Sequence, residues 1–169
     1  MAQRWGEPLY RATQSNGGSQ LLDSPTREEV EEQLAGADTV LFFGHGSDTT
    51  LGNPAVIDMT NIHLATGIVV AVACWSANGL GPEAKNSGAH AFVGFCDEIH
   101  IVESDVIDRL VCDGFKALST RAESPAEFEQ RFKVACGKIQ EEFLGVKRDT
   151  DAHVIGAAAQ ILKLALRVL

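Results

Sequence analysis

Cys74 and His45 are the residues whose types and surroundings suit nucleophilic chemistry. Cys74 ends the run Ile68-Val69-Val70-Ala71-Val72-Ala73, which carries no charge, and the polar and glycine residues Trp75-Ser76-Ala77-Asn78-Gly79 follow at once. His45 stands between Gly44 and Gly46, just past a second apolar run, Thr39-Val40-Leu41-Phe42-Phe43. A thiol attacks a carbonyl as its thiolate, and a neighbouring imidazole is a base that can produce one. The tetrahedral oxyanion that forms needs donors. The backbone N–H groups of Gly46 and Cys74, at strand ends and outside the ladder, are the candidates. Such a set performs acyl transfer with no metal and no cofactor. A lone cysteine at a strand end is most often an inert small residue, and Gly-His-Gly is most often a turn. Their pairing at the ends of successive buried strands is what points to chemistry.

Elements of a particular kind must position these two side chains. A short unbroken apolar run bounded by turn residues reads as a strand buried on both faces, the pattern of parallel sheets. In open α/β sheets, chemistry collects beyond the carboxyl ends of the strands, and both Cys74 and His45 fall there. Gly88-Ala89-His90-Ala91-Phe92-Val93-Gly94-Phe95 reads as a third such strand. Ala55-Val56-Ile57-Asp58 reads as a minor strand or hairpin arm, and Pro8 to Thr13 as a short strand before a Gly/Ser-rich loop. The stretch from Trp75 to Ser87 reads as a long loop.

Helices alternate with these strands. Ser24-Pro25-Thr26 opens one with a capping hydroxyl and a first-turn proline, and Glu28 and Glu29 favour its N-terminus. Ser104 to about Ser119 carries Val106, Ile107, Leu110, Val111, Phe115 and Leu118 at helical spacing. Ser124-Pro125-Ala126-Glu127 is a capping box. A last helix from Thr150-Asp151 aligns Val154, Ile155, Ala158, Ile161, Leu162, Ala165 and Val168. Strands alternating with helices predict an α/β fold, a three-layer α-β-α sandwich with a mostly parallel sheet, in a single domain over 1–169.

Composition narrows the function further. The 169 residues carry a net charge of −9 and no run of basic residues, which argues against nucleic acid as a ligand. The first residues, Met1 to Glu7, hold no apolar signal region, and no stretch approaches the roughly 18 apolar residues of a membrane helix, so a cytoplasmic protein is expected. The four cysteines, Cys74, Cys96, Cys112 and Cys136, match no zinc spacing. Cys112 and Cys136 fall within amphipathic helices as small buried hydrophobes; Cys74 stands apart by position. His63, His90, His100 and His153 read as structural or solvent-facing.

Leu41-Phe42-Phe43-Gly44-His45-Gly46 and Val72-Ala73-Cys74-Trp75-Ser76-Ala77 together resemble the His-Gly and Ala-Cys-x-Ser blocks of caspase-like cysteine peptidases. Ser87-Gly88-Ala89-His90-Ala91-Phe92-Val93-Gly94-Phe95 is similar to the Gly-Ala-x-x-Val strand of the CHAT branch of that family. The likeness spans residues 20–120. It implies a thiol protease in which His45 is the general base or imidazolium partner and Cys74 the nucleophile. It also implies that the loop after the third strand, with Asp97 and Glu98, lines the pocket for the residue before the scissile bond. A carboxylate there favours Arg or Lys. Asp48 is a second candidate for that pocket, and Trp75 is a candidate shelf, although packing is the plainer role for it. Family members carry another strand and helix before the segment starting near Ser24, which the short N-terminal part here leaves out.

The expected function is therefore cleavage of a protein or peptide substrate by a His45/Cys74 dyad. The alternative is a catalytically silent caspase-like module that docks a partner chain, or a second copy, through a sheet edge. Glutamine-amide hydrolysis is disfavoured, because Ala-Cys-Trp-Ser lacks the Gly-x-Cys-x-Gly form of a nucleophile elbow.

Overall fold

The computed structural model of the chain describes residues 2–14, 19–100, 102–120, 123–144 and 150–169. Its centre is a four-stranded sheet in the order β1 (Thr39–Phe43), β4 (Ile68–Val72), β5 (Ala91–Phe95), β6 (Leu166–Val168). The pairings β1–β4 and β4–β5 are parallel, and β5–β6 is antiparallel. A two-stranded hairpin of β2 (Thr50–Leu51) and β3 (Ile57–Asp58) stands beside it, so the segment around Ile57 is a hairpin arm.

The central strands are apolar at every position because both faces of the sheet are covered. On one face Ile68, Val70, Val72, Val93 and Phe95 pack with residues of α1 (Glu7–Thr13), α4 (Asp105–Ser119), α5 (Pro125–Leu144) and α6 (Thr150–Ala165). On the other, Val69, Ala71, Ala73 and Phe92 pack with α2 (Arg27–Leu34), α3 (Leu80–Asn86) and a 3₁₀ turn at Ile62–Leu64. The fold is mixed α/β with a mostly parallel sheet and helices on both faces, as the alternating pattern predicts.

Four readings are corrected. Pro8 to Thr13 lies in a helix, not a strand, because Trp5 and Leu9 are buried against α4. Trp5 Nε1 donates to Asp108 at 2.7 Å, and Arg4 Nε bonds the same carboxylate at 2.6 Å. Trp75 to Ser87 is not one loop but a turn followed by α3, whose Pro82 sits in the first turn, where its missing N–H costs nothing. The last helix stops at Ala165, and Val168 belongs to β6, where it pairs with Val93. The α2 cap is Thr26, in a full capping box with Glu29, so Pro25 lies outside the helix. The Ser15 to Gly18 part of the Gly/Ser-rich loop lies outside the described residues.

Aromatic side chains fix the end of β1. Phe43 meets Trp5 edge-on at 6.3 Å and Phe115 at 6.3 Å, and Phe115 joins Phe128 and Phe132 at 5.0 and 5.5 Å. Each such pair contributes about 0.5–1.5 kcal/mol beyond its buried area. The strand end that carries His45 is thereby tied to α4 and α5.

Candidate active site

The parallel pair β1–β4 brings His45 and Cys74 to the same carboxyl end of the sheet. Phe43 pairs with Val72, and the Gly44 N–H continues the ladder to the Val72 carbonyl at 3.3 Å. His45 and Cys74 each stand two residues past the last pair of that ladder, Phe43 with Val72. Gly46 then closes on the neighbouring chain. A Cβ on it would lie 2.6 Å from Ala73 Cβ and 3.2 Å from the Cys74 carbonyl oxygen, so only glycine permits the approach. Beyond it, Gly52 N–H donates to the His45 carbonyl at 2.8 Å and Ser47 N–H to Thr50 at 2.9 Å, which fastens the loop to β2.

The two side chains differ in setting. The His45 ring is exposed and has no hydrogen-bond partner among the described residues. Cys74 is half-buried against the core on the α4 face. Its sulfur accepts the Ile99 N–H at 3.4 Å and lies 3.9 Å from the Ile99 carbonyl. Among the described residues, the N–H groups of Gly46 and Cys74 meet no backbone acceptor. Both remain available as anion donors. The Trp75 N–H is not, because it donates to the Asp97 carbonyl at 3.3 Å.

Immediately after Cys74 the chain turns through Trp75 at φ +53°, a left-handed conformation that costs a non-glycine residue about 1–2 kcal/mol. Buried Ser76 anchors that turn. Its hydroxyl bonds the carbonyls of Ala73 and Ala71 at 2.9 and 3.2 Å and receives the Phe95 N–H at 3.2 Å. Ala77 N–H to the Phe95 carbonyl (3.0 Å) and Asn78 Nδ2 to the Cys96 carbonyl (3.2 Å) complete the join. The 74–78 turn and the 95–99 segment thus form one stitched unit around the sulfur. Gly94 makes room for it, since a Cβ there would lie 2.7 Å from Ser76 Oγ.

The expected pocket residues all lie along the carboxyl-end rim of the sheet. Asp97 and Glu98 are exposed, and the Asp97 carboxylate accepts the Glu98 N–H at 2.8 Å. Asp48 is exposed, while its carbonyl takes the Leu80 N–H at 2.6 Å, seating the His45 loop on the start of α3. Trp75 exposes 39% of its surface. A shallow, open hollow of about 510 Å³ is lined by Arg4, Glu103, Ser104 and Asp105, and neither His45 nor Cys74 contributes to it. Among the described residues, no cluster of three His, Cys, Asp or Glu side chains could hold a metal, and no helix is long and apolar enough to cross a membrane.

The remaining cysteines are unlike Cys74. Burial pushes the Cys136 thiol up to about 12, against a smaller opposing pull from Lys163. Cys112 is raised by burial and by Asp108 and Asp113. Ser76 and Ile99 are the residues around the sulfur whose roles the sequence does not assign. Ser76 carried a signal, a hydroxyl within an apolar and glycine stretch just past a strand. Ile99 carried none, because it meets the sulfur through its main chain.

No family model matches the chain, and no curated protein matches it.

Proposed function

We propose that the protein is a cysteine endopeptidase that uses Cys74 as nucleophile and His45 as its base. The observation that supports this reading is the parallel β1–β4 pairing, whose last pair, Phe43 with Val72, lies two residues before His45 and Cys74, with Gly46 close against Ala73 and Cys74. Cys74 Sγ adds to the scissile carbonyl carbon after its proton passes to His45. The oxyanion takes the N–H groups of Gly46 and Cys74. The C–N bond then breaks as the imidazolium proton goes to the leaving amine. Water hydrolyses the thioester, releasing the acid and restoring the thiol. Asp97, Glu98 and Asp48 give the rim a negative charge that suits Arg or Lys before the cleaved bond, with Trp75 as a shelf. By resemblance the domain is caspase-like, of the CHAT type.

Electrophilic peptides ending in Arg or Lys test this. Cys74→Ala is expected to abolish their covalent attachment, and attachment through another cysteine would overturn the reading.

A second reading rests on the outer edge of β1. The ladder to β4 uses the main chain of Phe42 and Gly44, so that of Leu41 and Phe43 faces outward, with no strand partner among the described residues. An open edge of apolar residues without Lys or Pro accepts another strand. In this reading the fold serves as a docking module for a partner chain or a second copy.

A further inference from the structure

The thiol is held by a group outside the His45/Cys74 pair. We propose that the main chain of Ile99 is a positioning element of the site. Its N–H is a fixed donor that fastens the sulfur and faces the charge that forms on it when it reacts, whether or not His45 is present. The proposal rests on Cys74 being the reactive thiol, as in the reading above, but not on the role of His45.

Three observations carry it. The Ile99 N–H lies 3.4 Å from Cys74 Sγ, and the sulfur is the acceptor the structure gives it. The Ile99 side chain is 6% exposed and packs in the core on the α4 face, so the peptide cannot drift from the sulfur without unburying an isoleucine. Lastly, the segment leading to Ile99 is pinned to the residues after Cys74 at three points: Phe95 to Ser76 and Ala77, Cys96 to Asn78, and Asp97 to Trp75. A donor preorganised in this way needs no rearrangement when negative charge appears on the sulfur. The Ile99 carbonyl, 3.9 Å from the sulfur, is where the thiol proton rests before it is taken up.

Hydrogen exchange at the Ile99 amide tests the contact directly. The amide is expected to be protected in the parent, to exchange at least about tenfold faster in Cys74→Ala, and to recover protection in Cys74→Ser, which restores an acceptor. Equal protection in the parent and in Cys74→Ala would overturn the proposal. Replacing Ile99 by its α-hydroxy acid removes only the N–H. Alkylation of Cys74 by iodoacetamide at pH 7 should then slow about threefold, in the parent and in His45→Ala alike, while Ile99→Val reacts at the parent rate. An unchanged rate in the hydroxy-acid variant, or an equal loss in Ile99→Val, would contradict it. Should that variant fail to fold, the exchange experiment decides. If His45→Ala leaves alkylation untouched while loss of the N–H slows it, the dyad fails and the Ile99 contact stands.

Discussion

Ser76 shows how much a single hydroxyl contributes at the end of β4. Fully buried, it joins two carbonyls of its own strand to the Phe95 N–H of the next. Ser76→Ala leaves that N–H without its partner, at a cost of about 1–3 kcal/mol in urea unfolding. Gly94→Ala should cost a similar amount, about 1–3 kcal/mol, because its Cβ would meet both Ser76 Oγ and the Phe92 ring at 2.7 Å. Loss from both changes, with slower Cys74 alkylation in each, would tie the turn to the thiol. Burial separates the cysteines as well. With its thiol pushed up to about 12, Cys136 should stay unalkylated in the native protein at pH 8, and Cys112 should lag behind Cys74. Peptide mapping after brief iodoacetamide treatment checks that order.

At the scale of elements, α2 is fastened to the hairpin by charge. Arg27 bonds Asp58 Oδ2 at 2.5 Å, Glu31 at 2.7 Å and Thr60 at 2.7 Å. The Arg27 guanidinium, and then Thr60, hold the Asp58 carboxyl well below the usual carboxylate range. A carboxyl lowered by folding adds stability above its unfolded value, about 4, and that stability is lost as pH falls toward the folded value. The melting temperature should therefore fall less steeply from pH 4.5 to pH 2.5 in Asp58→Asn than in the parent. Equal slopes would remove the pair from the acid response. Strands β1, β4 and β5 could be read from the sequence because burial on both faces leaves an unbroken apolar run. The capping box at Ser124 is legible for a local reason, since hydroxyl and carboxylate are three residues apart, whereas at α2 the proline draws the start one residue early and hides the box of Thr26 and Glu29. The N-terminal helix was not legible, because it is fixed by Trp5 and Arg4 meeting Asp108 roughly a hundred residues away, a contact that leaves no local mark. The spacing of Trp5, Leu9 and Thr13, all buried, was the overlooked trace of it. Strand β6 was hidden likewise, since Leu166–Val168 continues the apolar face of α6 and becomes a strand by pairing with β5.

Across the whole molecule, one sheet underlies both proposed readings. Its carboxyl rim carries His45, Cys74, Asp48, Asp97 and Trp75, and its β1 edge has no strand partner among the described residues. Of the site, the position of His45 and Cys74 just past the carboxyl ends of β1 and β4 is legible in the sequence, because both end apolar runs. The contacts that hold the sulfur are not, because they run through the main chain of Ile99. The measurement closest to the central claim is the rate of Cys74 alkylation by iodoacetamide at pH 6, in the parent and in His45→Ala. A working dyad predicts rapid modification of the parent and a marked slowing once the imidazole is gone. Equally slow modification of both proteins would contradict it, and would leave the β1 edge as the functional surface.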